Sequence, residues 1–588
     1  MKRFPVRAVV LAVVVVALLV LAVGAAWRLS RRPPSTPLSA SGNLLPNPGF
    51  QEDVDADDRP DAWELGPAAA WADWTITPQV GGHSLRLTGN ASYARSAPIL
   101  VRPEKGYQVS LQALTDAPLP GRLQVVFLWE DTRREVVFRE SGAWQVVPAR
   151  EWQLLTWEVT APSGASGLSL LVRPAGDDPV YLDDMRLAEE GVRLEPFPDY
   201  QHAALAFTLD WETAMGGLIH SRSDDGYDPA TAEARGLAMR QGTETLLELF
   251  DRYGIRATWY AAGYSLLAGN SEGNTFGGPI YTWASSDHGW RDDRWVSTPW
   301  FADDPYGTAQ SHPAWYFGDL LLELRAAGQE IQSHTFGHLY LGYANPEEVR
   351  ADLRQWNAAA AAAAGLPEAT SLAFPWGASL GASDATFAVL ESLGYRSVTR
   401  TYHEPQGRSQ YYILPPDDLY HLRTVPGRPD LWAFPDHYFP GQDAAGAKAV
   451  IDQVLAVRGV TSLWAHSEEA VSPAQIAAWD EVLAYAAGQR EAGLWIAPLE
   501  EIVAYRDGLD AIEVQAEERA GVMLIIVRNR NDHALSGLTL TLPAPVRSAT
   551  LGGKPYADFV HDQVRLPRLD PRQRVTLEIT LGSWEGVR

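Results

Sequence analysis

The chain of 588 residues contains no cysteine. That absence excludes disulfides, thiolate metal sites and a cysteine nucleophile, so any metal ion must be held by His, Asp or Glu. Positive charge is also scarce. Lys and Arg total 48 against 73 Asp and Glu, for a formal net charge of −25. Six of the positive charges fall within the first 32 residues, which hold no acid, so the rest of the chain is more acidic still and makes a poor partner for nucleic acid. Long apolar runs are missing except for one. From Ala8 to Trp27 twenty residues carry no charge, flanked by Lys2, Arg3 and Arg7 and by Arg28, Arg31 and Arg32. This is long enough to span a bilayer as a helix. A cleaved signal peptide is the competing reading, since Ala22, Gly24 and Ala26 suit a cleavage site. Basic residues on both flanks of the run in residues 1–30 leave the orientation open, and a body outside the cytoplasm, anchored in the cell membrane or secreted, is the expectation.

With 46% hydrophobic and 21% charged residues, the remainder is ordinary globular sequence too long for a single core. Residues 31–42, RRPPSTPLSASG, form a Pro/Ser-rich tether. Residues 43–190 show short alternating runs such as YQVSLQAL, LQVVFLWE and QLLTWEVT between Gly, Pro and Asp, the pattern of a β-sandwich. From Tyr200 the pattern changes. Eight apolar runs (ALAFTLDW, RATWYAAG, EIQSHTF, TSLAFPW, YRSVTR, YHLRTV, TSLWAHS, LWIAPL) alternate with helical stretches such as PEEVRADLRQWNAAAAAAAG. Parallel strands in a distorted (β/α) barrel over 200–508 are the expected result, with chemistry at the C-terminal strand ends. Residues 510–588 alternate again (VMLIIVRNR, LTLTLPA, VTLEITL) and predict a small C-terminal β-sandwich. About fifty residues rich in Gly, Asp, Trp and Tyr follow RATWYAAG. A connection of that length is functional or mobile. Its Trp283, Trp290, Trp295 and Trp300 suit either a sugar-stacking floor or the packing of the loop itself. Leaving the C-terminal end of the second strand, the loop is expected to wall a cleft and to be dispensable for the fold.

Three strand ends carry the chemistry. In FTLDWET, Asp210 and Glu212 are two apart and project to one side of a strand end, while Trp211 points the other way. In SHTFGH, His334 and His338 stand four apart, so on a helical turn or tight loop their ring nitrogens converge. In LWAHSEE, His466 follows an apolar run. One carboxylate and two imidazoles are a common set for a divalent ion in hydrolytic sites, and the remaining carboxylate and histidine suit a base and an acid.

These motifs resemble the polysaccharide deacetylases with a NodB-homology domain (carbohydrate esterase family 4). The likeness rests on Thr208 to Asp210, on His334 to His338, on LAFPWG at Leu372 to Gly377 and on His466, and it covers about Tyr200 to Arg506. It implies a metal-dependent hydrolase that removes N-acetyl groups from an amino-sugar polysaccharide. Asp210 is then the catalytic base, His466 the acid, and His334 and His338 metal ligands, with zinc as the expected ion. Pro375, Trp376 and Trp464 are implied to meet substrate. Two departures stand out. The family's second, metal-binding aspartate is replaced by Trp211, which makes Glu212 the third ligand, and Ala373 stands where many members have an arginine that orients the base. The segment 43–190 resembles jelly-roll carbohydrate-binding modules through NLLPNPGFQE and VYLDDMRL, which implies sugar binding or a purely structural role and makes Glu52 and Asp183 candidate ligands of a structural calcium. A non-catalytic sugar-binding surface protein on the same scaffold and a polysaccharide O-acetyl esterase are the alternatives.

Overall fold

A computed structural model describes residues 43–582 apart from 54–56, 74–81, 220–228, 277–282, 291, 299, 378, 380–381, 402–418 and 520. The expected membrane segment and tether lie outside the described residues. Among the described residues no helix is long and apolar enough to cross a membrane.

The N-terminal part folds as two sheets, one of seven strands and one of five, whose named strands all pair antiparallel. Alternation decides the packing. Gln153–Thr160 buries every second residue, so one face of its sheet turns to a core that includes Tyr107, Leu111, Phe127, Trp129 and Leu170. The C-terminal part also has two sheets, of five and four strands. The smaller sheet takes in Arg193–Leu194, which pairs with Thr539–Thr541. The segment that leaves the first sandwich is thus built into the last sheet.

Between them lies a ten-stranded, mostly parallel sheet. Its strands are β1 (Ala203–Trp211), β2 (Thr258–Ala261), β3 (Glu330–Ser333), β4 (Ser371–Ala373), β5 (Ser397–Thr399), β6 (Arg423–Val425), β7 (Arg428–Ala433), β8 (Asp436–Tyr438), β9 (Val460–His466) and β10 (Leu494–Ile496). All nine residues of β1 are buried, as a continuous apolar strand covered on both faces requires. It pairs in parallel with β2 and β9, and its first three residues pair in parallel with β10.

The eight expected strands form, but they do not make eight equivalent positions. The run YHLRTV supplies β6, which among the described residues pairs with no strand but β7, and antiparallel. Its expected place falls to a stretch not read as a strand, because Pro429 and Pro435 interrupt it. There β7 pairs in parallel with β5 while β8, three residues further on, pairs in parallel with β9. Val398 and Pro435 carbonyls accept from the Phe434 and Ser462 amides across the bend. The hydrogen-bonded order therefore runs β6–β7–β5–β4–β3–β2–β1–β9–β8, and the chain, not a hydrogen-bonded ladder, joins β7 to β8.

Capping residues set the helix ends. Asn345 caps Pro346–Ala364 with a capping box to Glu348, and Gly365, at φ 58°, ends it in the left-handed conformation. Ser472 starts Pro473–Gly488 in the same way.

At the N-terminal end of β3, half-buried Glu330 accepts a hydrogen bond from Thr258 Oγ1 at 2.6 Å. Burial pushes its carboxyl up to about 7, with the nearby Glu500 adding to the rise and the Thr258 bond opposing it. A carboxyl raised by folding contributes stability that is fully present below its unfolded value near 4.5 and is lost as pH rises through about 7. Glu330→Gln is therefore expected to flatten the fall in melting temperature between pH 5 and pH 8. An unchanged slope in thermal melts would show that the carboxyl is already ionised in the fold.

Candidate metal centre and surrounding side chains

The end of β1 delivers two carboxylates to one side. Asp210 and Glu212 are 4% and 1% exposed, while Trp211, fully buried, turns into the helical layer. Its indole N–H donates to Thr243 Oγ1 at 2.9 Å and its ring packs on Trp259 and Phe317. Trp211 is therefore a core residue, and the departure it represents leaves the site to its neighbours.

The two histidines are held by a strained loop and not by a helical turn. Thr335 and His338 adopt φ of 60° and 51°, a region costly for residues with a Cβ. Asp352, from the helix Pro346–Ala364, holds the loop by accepting the amides of Phe336 and Gly337 at 2.6 and 2.7 Å. Ser333 Oγ accepts the Thr335 amide and Thr335 Oγ1 that of Leu339. His334 Nδ1 lies 3.0 Å from the Ala373 carbonyl. That contact makes Nδ1 the protonated nitrogen and leaves the lone pair of Nε2, on the side of the carboxylates, available to a metal ion.

Glu212 Oε1 is 3.1 Å from His338 Nε2 and 3.6 Å from His334 Nε2. Its other oxygen, Oε2, accepts from Arg235 Nη1 at 3.0 Å. The donor atoms of Glu212, His334 and His338 all lie within 4.8 Å of one another, and among the described residues no other group of His, Asp and Glu has this spacing. These three residues could hold a metal ion: three buried donors, one of them a carboxylate oxygen facing two imidazole nitrogens, fit a divalent cation. The two candidate calcium ligands differ in setting. Glu52 is exposed and Asp183 fully buried, with its Oδ1 accepting from the Asp184 amide.

Asp210 faces a different partner. Arg400, 1% exposed at the end of β5, grips it as a fork, Nε to Oδ2 at 3.1 Å and Nη2 to Oδ1 at 2.8 Å, and Nη2 also reaches Thr208 Oγ1 at 3.1 Å. Arg400 is itself left-handed at φ 59°. Its amide donates to Asp436 Oδ2 at 2.6 Å, and Trp464 covers its guanidinium at 4.3 Å. The arginine missing at Ala373 is thus supplied one strand further round the sheet. The sequence held a signal for it, a charged residue closing the apolar run YRSVTR, at the strand end where barrel chemistry sits.

Burial works against an ionised Asp210, but the charges of Arg400, His334 and His466 outweigh it and hold the carboxyl below its usual range. For His466 burial likewise opposes charge. The carboxylates of Glu469 and Glu212 outweigh it, and the imidazole is pushed up to about 9. Its Nε2 is 3.9 Å from Glu212 Oε1, and its amide donates to Glu469 Oε2 at 2.9 Å.

The residues expected to meet substrate divide. Pro375 is buried, and Trp464, 9% exposed, lies between Arg400 and Tyr438. Tyr438, at 51% exposure, is the open ring of that pair and was not anticipated. Trp376 is half-buried at φ 69°, donates its indole N–H to the His338 carbonyl at 3.2 Å and packs on the His338 ring.

Three of the four tryptophans in the long loop are packing material, and the Trp300 side chain lies outside the described residues. Trp283, Trp290 and Trp295 are 2%, 3% and 0% exposed, which removes them as a stacking floor. Trp290 meets Trp283, Tyr340 and Trp376 edge to face. Asp304 ties the loop down by accepting from Tyr264, Asn270, the Tyr306 amide and Tyr316. The segment is therefore not dispensable. Trp290→Ala should destabilise the protein by about 3–5 kcal/mol, as loss of a buried tryptophan does, and loosen Trp376 behind His338. Denaturant titration measures the first effect, and a loss below 1 kcal/mol would return the loop to the status of a surface insertion.

Residues 219–398 match the family model described as polysaccharide deacetylase. No curated protein matches the chain. Among solved structures, a Mycobacterium smegmatis protein described as a polysaccharide deacetylase aligns with 53% of this chain and 93% of its own, at 17% identity and a TM-score of 0.37. The allantoinase PuuE aligns with 53% and 92%, at 15% identity and a TM-score of 0.35. The CBM22-1 xylan-binding domain of Paenibacillus barcinonensis Xyn10C aligns with 26% of this chain and 96% of its own, at 16% identity and a TM-score of 0.21. Residues 219–398, a stretch that includes the loop carrying His334 and His338, are thus similar to a polysaccharide deacetylase domain.

Proposed function

We propose that the protein is a metal-dependent hydrolase that removes N-acetyl groups from an amino-sugar polysaccharide outside the cytoplasm, and that its parallel sheet works as a distorted barrel with the site at the C-terminal strand ends. The observation that carries this reading is the division of labour between two adjacent carboxylates. Glu212 aims one oxygen between two histidines, whereas Asp210 has both oxygens on Arg400. The uncharged run from Ala8 to Trp27 supports the location.

The donor set of two imidazoles and one carboxylate suits zinc. A divalent ion held by Glu212, His334 and His338 would supply Lewis acidity toward the acetyl carbonyl and acidify the attacking water. The protein's own residues do the rest. Asp210, kept ionised by Arg400, accepts the proton that water loses as its oxygen bonds to the acetyl carbon. Arg400 fixes the direction in which Asp210 presents its oxygens. His466, carrying a proton at neutral pH, delivers it to the amide nitrogen as the C–N bond breaks. An amine is a poor leaving group without that proton. Acetate and a free amino sugar result. Tyr438, half exposed beside Trp464, offers a flat face to a sugar ring at the rim. The intact base, acid and ligand set argues against a purely sugar-binding role for this domain.

Two experiments on the full chain test the assignment. Glu212→Ala should strip the metal, measured by elemental analysis, whereas Asp210→Asn should keep it and lose turnover by at least about a hundredfold. The reverse pattern would exchange the two carboxylates. Arg400→Met removes the fork while keeping the stem under Trp464. It should retain the metal and lower acetate release from an acetylated amino-sugar polymer by about a hundredfold. Undiminished release would make the arginine a packing residue, and release of acetate without new free amine would point to ester substrates.

A further inference from the structure

A cavity of about 400 Å³ lies at the opposite end of the parallel sheet, where the N-terminal sandwich, the sheet and the helix Leu499–Asp510 meet. It touches Val460, the first residue of β9, while His466 ends the same strand, so about 20 Å of strand separates it from the metal centre. Five arginines line it, in a chain whose net charge is −25: Arg102, Arg134, Arg193, Arg458 and Arg506.

The carboxylates nearby are mostly engaged elsewhere. Glu189 is taken by Arg102 and by the Tyr107 hydroxyl. Glu130 accepts from Ser169 and stands 3.6 Å from Arg134. Asp507 accepts the Trp432 indole N–H, and Arg458 donates to the Asn43 carbonyl. Two guanidinium groups are left over. Arg193, with a side chain 10% exposed, is 3.8 Å from Glu195 through Nε, and its buried Nη1 has no hydrogen-bond partner. For Arg506, which lines the cavity from the last turns of its helix, no hydrogen bond or ion pair within 4.0 Å is present among the described residues. Asp510, the carboxylate on the same helix turn, is exposed and beyond that distance. A buried guanidinium nitrogen without a hydrogen bond is costly, as at Arg193 Nη1, and half-buried Arg506, which feels the charges of Asp510 and Asp507, brings a second guanidinium to the same cavity from another element, a set that suits an anion. The lining also includes the apolar and aromatic side chains Leu422, Trp432, Val460, Trp495 and Ile502. The cavity is also far larger than an oxyanion alone needs, given a water's share of about 30 Å³.

We propose that this junction cavity binds a monosaccharide-sized ligand carrying an oxyanion, a carboxylate or phosphate, with the anion on Arg193 and Arg506 and the ring against Trp432 and Trp495. Such a ligand would bridge the first sandwich, the parallel sheet and the last helix, so its occupancy stabilises their arrangement without touching the reacting groups.

Isothermal calorimetry and thermal melts of the full chain with glucuronate, glucose 6-phosphate, glucose and sodium chloride at matched ionic strength test this. Saturable binding of one glucuronate or one glucose 6-phosphate per chain is expected, with a rise in melting temperature that chloride and glucose do not produce. The tighter of the two acids names the anionic group. Arg193→Gln and Arg506→Gln should each weaken binding about tenfold or more, with Arg506→Lys intermediate and the metal content unchanged. Binding of neither acid, equal binding of glucose, or affinity unaltered by both substitutions overturns the assignment. The wild-type measurements decide it alone if a variant does not fold.

Discussion

Desolvation of charge is the constraint on which the rest of this structure depends. Asp210, Glu212, His334, His338 and Arg400 are each no more than 4% exposed, within a few ångströms of one another. Ionised groups so deep are tolerated only when paired and hydrogen-bonded. The pairing found here sorts them. Arg400 neutralises Asp210, Arg235 neutralises one oxygen of Glu212, and the other oxygen is left to the histidines. The same requirement that makes the site affordable thus makes its two carboxylates chemically different.

The second constraint is backbone strain. Thr335, His338, Trp376 and Arg400 all have positive φ, and all lie where a parallel strand has just ended. Each strand end must turn its side chains inward over the sheet, a path that an extended or helical backbone does not provide. Two buried carboxylates compensate. Asp352 accepts the amides of the histidine loop, and Asp436 accepts the Arg400 amide. Neither points at the metal centre. Both act through backbone N–H groups that would otherwise be buried and unpaired. The aromatic loop adds the third support, since Trp290 packs behind Trp376, which packs on His338.

The division between local and tertiary information follows from these contacts. Apolar alternation and continuous apolar runs reflect one or two buried faces, so sandwich strands and parallel strands were legible. The same holds for Asp210, Glu212, His334, His338 and His466, because spacing within one short segment decides whether side chains share a side. The bent β7–β8 pair was not legible. Its prolines argue against a strand, and only neighbours on both sides, β5 and β9, supply the partners that make it one.

By itself the sequence determined which residues could do the chemistry, since residue type and spacing are properties of the chain. Tertiary structure decided who holds them. Arg400 stands 190 residues from Asp210, Asp352 belongs to a helix beyond the histidine loop, and Trp290 is separated from Trp376 by two strands and three α-helices. No local pattern marks a buried tryptophan as support and not as a sugar platform, because both require the same ring. Burial distinguishes them, and burial exists only once the sheet has brought distant segments together.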